Sequence, residues 1–330
     1  MGTISTGTAR VLALSMLRGV GPATLRKVAA LPRFLERDVE DLAEQVPALS
    51  RGLGESDAWM RASASADEQV VLAERHDARI LSALDAEYPA LLTDSRDDPY
   101  VLYVRGTLAP EPLRSVAVIG TRQPTAHGLL IAERVSRYFV ERGWSVVSGL
   151  ALGCDAAAHR ATLESGGHTV ALLAHGLHTV APAAHRPLAD DILDGGGALV
   201  SQYPFGQRAA PRQFVQRDKT QAGMAQGVVM VQSDLAGGSL HASRAALAYG
   251  RWLAVPCPTR ADRERGEPKV EANRVLTEGA SAEQLALLQA SEARELKNVI
   301  VLRTREDYAK CIDKSEPSEF GEVGKTASLL

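Results

Sequence analysis

The chain has 330 residues, of which 40 are acidic and 37 are Lys or Arg, so its formal net charge is −3. This length allows about two domains with a large core, and the balanced charge means that any nucleic-acid site must be a local basic patch. Three widely spaced cysteines exclude a metal knuckle and a disulfide framework and indicate a reducing cytoplasm, and no apolar run is long enough for membrane insertion or secretion.

Residues 1–85 are predicted to form a small all-helical domain. The sequence from Ala9 to Ala30 has two short helical patterns joined by Gly19-Val20-Gly21-Pro22, which resembles a helix-hairpin-helix motif. Glycine lets backbone amides approach a phosphate where the second helix begins. The turn is flanked by the basic residues Arg18, Arg26 and Lys27, which favour a DNA contact. An ordinary αα-hairpin with a glycine turn explains the pattern equally well.

The stretch from Val116 to His159 predicts a strand, an amphipathic helix and a second strand. The first strand, Val116–Ile119, ends on Gly120-Thr121-Arg122, and the second, Ser145–Ser148, ends on Gly149. Because the carboxyl ends of parallel strands lie at one edge of a sheet, we expect both turns to lie side by side.

The second strand is followed by Gly153-Cys154-Asp155, and Asp155 is predicted to be the N-cap of a new helix. Together the two turns present small residues and backbone N–H groups at the same edge. Such an edge attracts anions.

Further apolar strand patterns alternate with helical patterns. The strand patterns are 169–174, 198–201, 228–232 and 252–255, and the helical patterns are about 156–165, 185–193, 217–226 and 239–249. This alternation predicts an α/β fold, with a Rossmann-like, mostly parallel sheet of about six strands over residues 86–288. Residues 289–330 are expected to be a charged appendage or mobile tail with one isolated strand, Val299–Leu302.

Arg122 directly follows Gly120-Thr121 at the end of a predicted strand and can clamp a phosphate with two parallel hydrogen bonds. The alternative is a surface arginine paired with a carboxylate. Its place at the carboxyl end of a strand favours the phosphate interpretation.

The segment from Gln207 to Gln221 is locally basic and contains the aromatic residue Phe214. Its charged residues are Arg208, Arg212, Arg217 and Lys219 against Asp218. Cations that follow the backbone and a ring that stacks on a base suit single-stranded nucleic acid. The alternative is a solvated loop with Phe214 in the core. Gly238-Ser239, which opens another predicted helix, adds a third group of amides to this edge.

Two features are predicted not to carry chemistry. His159 has no nucleophile or orienting partner in the pattern, so we expect it to pack beneath the turn or to donate a hydrogen bond to the backbone of the turn. Residues 321–326 look like a phosphate-binding P-loop, but Glu319 stands where the pattern needs glycine and no long helix follows, so this interpretation is rejected.

The sequence resembles the DNA-processing protein A (DprA, also called Smf) family from Tyr88 to about Ala280. The motifs that carry the resemblance occur in the family's order: VAVIGTR at 116–122, SGLALGCDAAAH at 148–159, GGHTVALLAHGL at 166–177, SQYPFG at 201–206, FVQRDKTQAGMA at 214–225, GGSL at 237–240, YGRWLAVPC at 249–257 and NRVLTEGA at 273–280.

The resemblance implies a cytoplasmic, non-enzymatic protein that binds single-stranded DNA through a Rossmann-type domain and needs no cofactor or metal. Relatives typically form homodimers, protect incoming DNA during natural transformation and help to load a RecA-type recombinase. By position, Arg122 matches the family's phosphate-binding arginine, Arg217 and Lys219 match basic positions, and Gly238-Ser239 matches a late turn.

The sequence departs from the family pattern at several of these positions. Asp218 stands where relatives usually have Asn, Gln202 and Gln232 stand where they commonly have Glu, and His241-Ala242 replaces a usual Ile-Thr. A diverged paralogue in mobile-element or phage-defence biology is therefore a second expectation.

Two further functions use the same edge. One is a sensor for a nucleotide signal. The other is a hydrolase of nucleotide glycosidic bonds, but Arg244 stands where the related enzymes have their glutamate. The residues predicted to bind DNA or phosphate are Gly120, Thr121, Arg122, Ser148, Gly149, Gly153, Asp155, Phe214, Arg217, Lys219, Gly238 and Ser239.

Overall fold

A computed structural model of the chain describes residues 4–315, and the rejected P-loop-like segment at 321–326 lies outside this range. Five helices form the N-terminal part. They are α1 (Thr6–Ser15), α2 (Pro22–Ala29), α3 (Val39–Gln45), α4 (Pro47–Gly52) and α5 (Ala58–Arg75).

The predicted glycine turn joins α1 to α2. Gly19 has a φ of +80°, a conformation that glycine adopts readily, and nothing lies within 4 Å of its Cβ position. Arg18 is exposed, whereas Arg26 donates a hydrogen bond to Asp98 at 3.2 Å. Both helices are therefore present, and the DNA contact of the turn stays a prediction.

Nine strands form one sheet in the described part of the chain. They are β1 (Ala78–Ser82), β2 (Val101–Gly106), β3 (Ser115–Ile119), β4 (Ser145–Ser148), β5 (Thr169–Leu173), β6 (Ala198–Ser201), β7 (Gly227–Met230), β8 (Trp252–Pro256) and β9 (Val299–Leu302). Their order is β1-β2-β6-β5-β4-β3-β7-β8-β9. In this spatial order, all neighbours from β6 through β3 to β9 pair in parallel. The pairs β1–β2 and β2–β6 are antiparallel. The mostly parallel, Rossmann-like fold is confirmed.

The expectation of about six strands is too low, and the strand at Val299–Leu302 is not isolated. It pairs in parallel with β8, with Leu253 opposite Val299, and closes one side of the sheet. At the other side, β1 pairs with β2 although it precedes residue 85. The sequence of a strand of four or five residues does not show which other strand it pairs with, so its position in the sheet is known only from the tertiary structure. The domain boundaries at 85 and 288 stay a prediction.

Ten further helices follow the first strand. They are α6 (Ala90–Thr93), α7 (Ala126–Val140), α8 (Cys154–Glu164), α9 (Arg186–Asp194), α10 (Pro211–Gly223), α11 (Ser239–Ala248), α12 (Arg260–Glu264), α13 (Glu271–Glu278), α14 (Ser281–Leu288) and α15 (Ala309–Asp313). Short 3₁₀ turns lie at Ala183–His185, Pro268–Val270, Ala293–Asn298 and Arg305–Tyr308. Helix α10 begins six residues earlier than expected, because Pro211 is favourable in the first turn of a helix.

The N-terminal helices pack directly against the sheet. Tyr103 on β2 contacts Phe205 edge-on at 5.6 Å between ring centroids, and His76, which follows α5, stacks on the same ring at 5.2 Å. Residues of α1 to α5 belong to the same buried apolar cluster as Leu173 on β5 and Leu188 on α9. The other face of the sheet is covered by helices that include α10, α11 and α13.

The chain changes direction across the sheet at β3. Strands β4 to β6 extend the sheet on one side of β3, and β7 to β9 extend it on the other. A crevice forms at such a switch point because the connections leave β3 and β7 toward opposite faces. The ends of β3, β4 and β7 are therefore where the fold favours a ligand.

Within residues 4–315, no helix is long and apolar enough to cross a membrane. In the same range, no group of three or more His, Cys, Asp or Glu side chains has an arrangement that could hold a metal ion.

We expect Phe139→Ala to lower the free energy of unfolding by about 3–5 kcal/mol, because it leaves a cavity in the core. Phe139 is fully buried, with its ring 5.2 Å from Trp144 and 6.1 Å from Trp252. Chemical denaturation measures the change. Leu113→Ala is the control, since Leu113 is 58% exposed and its truncation is expected to cost less than about 0.5 kcal/mol.

Candidate nucleic-acid interface

An open cleft of about 590 Å³ lies at the carboxyl ends of β3, β4 and β7. Eight of the twelve residues predicted to bind DNA or phosphate line it: Gly120, Thr121, Arg122, Asp155, Phe214, Arg217, Gly238 and Ser239. The other four, Ser148, Gly149, Gly153 and Lys219, do not line it.

The conformation of the turn after β3 is fixed by hydrogen bonds to Gln232. The backbone carbonyl of Gln232 accepts from Thr121 N at 2.8 Å, and its side chain bonds both the N–H and the hydroxyl of Thr125 at 3.0 and 2.9 Å. Gly120 has no room for a side chain, because its Cβ position lies 2.5 Å from Cys154 Sγ. The turn is thus fixed against α8 and β7, and it presents Arg122 outward.

Arg122 is exposed, and within residues 4–315 it forms no ion pair. Its guanidinium lies 5.4 Å from the centroid of the Phe214 ring, within the range of a cation–π contact. The backbone N–H of Arg122 has no hydrogen-bond partner among the described residues. Arg122 therefore makes no direct ion pair with a carboxylate in the described part of the chain, although its charge acts to lower the pKa of Asp218.

Phe214 lies on α10, and its ring is partly exposed at the cleft. The alternative of a solvated loop with Phe214 in the core is wrong, because residues from Pro211 onward are helical and Phe214 is partly exposed. Arg208 and Arg212 are exposed at the beginning of this segment.

Arg217 is buried, in contrast to the solvent-facing phosphate contact that the sequence suggested. It is 6% exposed, and its Nη1 donates to Gly149 O at 2.6 Å and Leu172 O at 2.9 Å. Its Nε donates to Asp218 Oδ1 at 3.0 Å. Arg217 thus connects α10 to the ends of β4 and β5 at the floor of the cleft.

Lys219 lies outside the cleft and is not free to meet a ligand there. Its Nζ is 2.9 Å from Asp97 Oδ1, and the hydroxyl of Tyr249 donates to the other oxygen of that carboxylate at 2.8 Å. Helical spacing explains the difference, since residues two apart on a helix do not face the same side.

The turn after β4 makes hydrogen bonds within itself and to the turn after β3. Asp155 is not the N-cap of α8. Gly153 has that position, with a φ of +80° and its Cβ position 2.5 Å from Thr121 O. The Asp155 carboxylate accepts from Ala151 N at 3.3 Å, and Cys154 N donates to Thr121 O at 3.2 Å.

Two further groups of this turn have partners within the fold. Ser148 donates its hydroxyl proton to Val118 O at 2.7 Å. When the Gln221 amide is oriented to satisfy both of its neighbours, its oxygen accepts from Gly149 N at 2.8 Å. These two groups are therefore not available to a ligand, whereas the N–H groups of Leu152, Gly153 and Asp155 have no hydrogen-bond partner among the described residues.

The N-terminus of α11 is open. Gly238 is its N-cap without a side-chain hydrogen bond, and the N–H groups of Gly238 and Ser239 have no partner among the described residues. A helix of ten residues with unpaired N–H groups at its start attracts an anion.

The cleft is electrically balanced rather than strongly cationic. Its lining has three basic side chains, Arg122, Arg217 and Lys269, and three acidic ones, Asp155, Asp218 and Asp234. Lys269 and Asp234 pair with each other at 2.8 Å. The sequence analysis missed Lys269, Asp234, Leu152 and His241 as lining residues, because they lie on loops and helix ends whose direction depends on packing.

Burial raises the pKa of both Asp155 and Asp218 to about 6, while the charge of Arg217 acts in the opposite direction on each. The Asp218 charge also raises the pKa of Asp155. Near neutral pH both carboxyl groups are mostly ionised, and because burial disfavours the ionised form, this ionisation lowers the stability of the folded state.

His159 is fully buried, and its Nδ1 lies 2.7 Å from Thr169 Oγ1. That hydroxyl donates to Val146 O, so it accepts from His159. Burial lowers the pKa of His159 to about 3, and the side chain is neutral. His159 thus has a structural role, but its hydrogen bond goes to a side chain on β5 and not to the backbone of the turn.

The fold and the cleft define an α/β protein with a ligand site at a topological switch point. The family described as DNA recombination-mediator protein A matches residues 79–288, and the chain belongs to this family. The resemblance found in the sequence motifs is confirmed.

Among curated relatives, Protein Smf of Escherichia coli K12 is 36% identical over 190 residues, which are 56% of this chain and 50% of that protein. The chain spans about half the length of the curated relatives that it matches.

Among solved structures, the DNA processing protein A of Streptococcus pneumoniae has a TM-score of 0.68 at 24% identity over 94% of this chain and 98% of that chain. The DNA processing protein A of Helicobacter pylori, whose structure was described for its single-stranded DNA binding mode, has a TM-score of 0.52 at 26% identity. That match covers 61% of this chain and 88% of that chain.

We expect Arg217→Ala to lower the free energy of unfolding by about 3–5 kcal/mol, because two strand-end carbonyls and the Asp218 carboxylate lose a buried partner. Arg122→Ala, the matched control in the same cleft, is expected to change it by less than about 0.5 kcal/mol. Denaturant titration of both variants compares them. Equal losses would contradict the division between a structural and an exposed arginine.

We expect Asp218→Asn to stabilise the protein more at about pH 7.5 than at about pH 4.5, relative to wild type. A carboxyl group whose pKa is raised on folding contributes stability at low pH and loses it as the pH rises through about 6. Thermal unfolding of both proteins across this range measures the difference. A difference that is constant with pH would show that the folded state does not disfavour the ionised carboxylate.

Proposed function

We propose that the chain binds single-stranded DNA in the cleft, as a non-enzymatic protein without cofactor or metal. The observation that carries the proposal is the position of Arg122. It is exposed and lies over the Phe214 ring. It stands at the same cleft as the N–H groups of Gly238 and Ser239, which have no partner within residues 4–315.

Each of these groups has a chemical role toward a single strand. The guanidinium of Arg122 and the N-terminus of α11 offer donors to a backbone phosphate. The Phe214 ring offers a stacking surface that only an unpaired base can use. Arg208 and Arg212, exposed before and at the start of α10, can contact neighbouring phosphates.

The H. pylori relative supports the ligand class, since its structure was described for single-stranded DNA binding. Contact with a RecA-type recombinase, assembly as a homodimer and a role in natural transformation belong to the same proposal. The recombination-mediator description of the family supports the first of these. The three free cysteines fit the proposed cytoplasmic location. A role in mobile-element or phage-defence biology uses the same binding activity.

We expect Arg122→Ala to weaken binding of an oligonucleotide at least tenfold, because a phosphate contact with a guanidinium supplies about 1.5–3 kcal/mol. Phe214→Ala is expected to weaken binding by a similar amount through lost stacking. Fluorescence anisotropy over a salt series measures both effects. Arg212→Ala should reduce the slope of log affinity against log salt by about 0.7, the value for one phosphate contact on a single strand.

The matched control is Arg260→Ala, since Arg260 is an exposed arginine paired with Glu264 and does not line the cleft. It is expected to bind as wild type. If Arg122→Ala also binds as wild type at moderate salt, the proposed interface is wrong.

A nucleotide ligand is the second candidate, and the observation that favours it is the pair of carboxylates in the cleft. Asp155 and Asp218 have pKa values near 6, which is the range of a general acid or base. Calorimetry with a panel of nucleotides, followed by chromatography for a released base, tests a nucleotide sensor and a glycosidic-bond hydrolase in one experiment. Binding of a mononucleotide more tightly than an oligonucleotide would favour this candidate.

A further inference from the structure

Asp218 faces the groups that the proposed function assigns to phosphate. It lies on α10 four residues after Phe214, so both side chains are on the same side of the helix. The carboxylate lines the cleft and is 14% exposed. It is therefore an anion at the place where a DNA phosphate is expected.

The contacts of the carboxylate show what it competes for. Its Oδ1 accepts from Arg217 Nε at 3.0 Å, and its Oδ2 lies 3.9 Å from the Cβ position of Gly238, the N-cap of α11. It thus lies between a buried guanidinium and a helix N-terminus whose N–H groups are free. A phosphate that approaches the same N-terminus enters beside this negative charge.

The effect of the Asp218 charge depends on how few unpaired cations line the cleft. Lys269 and Asp234 pair with each other, and Arg217 is engaged by carbonyls and by Asp218. Among the described residues that line the cleft, Arg122 is the exposed cation without an ion pair. One additional negative charge nearby therefore opposes most of the attraction that the cleft can offer a phosphate.

We propose that Asp218 is an internal counter-anion that competes with the DNA phosphate for Arg122 and the N-terminus of α11, and so limits the affinity of the cleft for single-stranded DNA. The inference rests on the proposed function and deepens it. It identifies the residue that sets how tightly a phosphodiester is held and makes binding depend on pH.

The charged and titratable groups around Asp218 come from four elements. Arg217 precedes it on α10, Arg122 follows β3, Asp155 lies on α8, and Tyr203 follows β6. The cleft also contains His241 on α11, Asp234 and Lys269.

Burial raises the pKa of Asp218 to about 6, although Arg217 and Arg122 act to lower it. As the pH falls through about 6, the carboxyl group takes up a proton and loses its charge. The neutral carboxyl group no longer competes with the DNA phosphate, so we expect the affinity for DNA to increase as the pH falls. His241 and Asp155 change charge in the same direction, so the variant must separate the contribution of Asp218 from theirs.

The test compares binding of oligothymidylate, whose base has no group that titrates near pH 6, by wild type and Asp218→Asn at about pH 7.5 and about pH 5.5. Asparagine keeps an oxygen acceptor for Arg217 Nε and removes only the charge. We expect the variant to bind on the order of tenfold more tightly than wild type at the higher pH, and the two to converge at the lower pH.

Glu306→Gln is the control, because it makes the same change in net charge at an exposed residue outside the cleft. It is expected to bind as wild type. Circular dichroism and thermal unfolding verify that each variant is folded, and the pH dependence of wild type itself provides a readout that needs no substitution.

Two results overturn the inference while the proposed function stands. Asp218→Asn can bind no more tightly than wild type while Arg122→Ala abolishes binding, or it can bind more weakly, which makes Asp218 a positioning residue for Arg217. If neither wild type nor Asp218→Asn binds the strand at either pH, the proposed function fails and the inference fails with it.

Discussion

The cleft depends on the guanidinium of Arg217. Its three hydrogen bonds join helix α10 to the ends of two neighbouring strands and to Asp218. A buried charge is costly unless it is paired and hydrogen-bonded, and here carbonyl oxygens and a carboxylate meet that demand. The same bonds orient α10 so that Phe214 lies at the cleft.

Close backbone approach is the second constraint. Gly120 lies against Cys154, and Gly149 lies against Arg217 and Asp155, so neither position has room for a side chain. These glycines serve the packing of the cleft, whereas Arg122 and the start of α11 offer donors to a ligand. Glycine turns therefore build the site more than they contact its ligand.

Part of the fold and the site follows from local sequence patterns. The runs at 116–119 and 145–148 are strands, the intervening pattern is helix α7, and their ends meet in parallel as expected. Arg122 and Ser239 also line the cleft as expected. These predictions succeed because each depends on the period of the apolar residues and on one topological rule.

Other expectations fail where the outcome depends on a distant partner. Arg217 and Lys219 are both basic, but Arg217 donates to carbonyl groups at the ends of strands, whereas Lys219 pairs with Asp97. Neither partner is near in the chain. Helix spacing separates the two side chains, and only packing against the sheet decides what each one meets.

The sequence by itself determined the class of fold, the family and the edge of the sheet where a ligand belongs, because strand and helix periods and motif order are local properties. The tertiary structure alone decided which charges stay free at that edge. It buried Arg217, paired Lys219, engaged the Ser148 hydroxyl and placed the Asp218 carboxylate beside the N-terminus of α11. The physical reason is that the charge a ligand meets depends on desolvation and on partners brought together from distant parts of the chain.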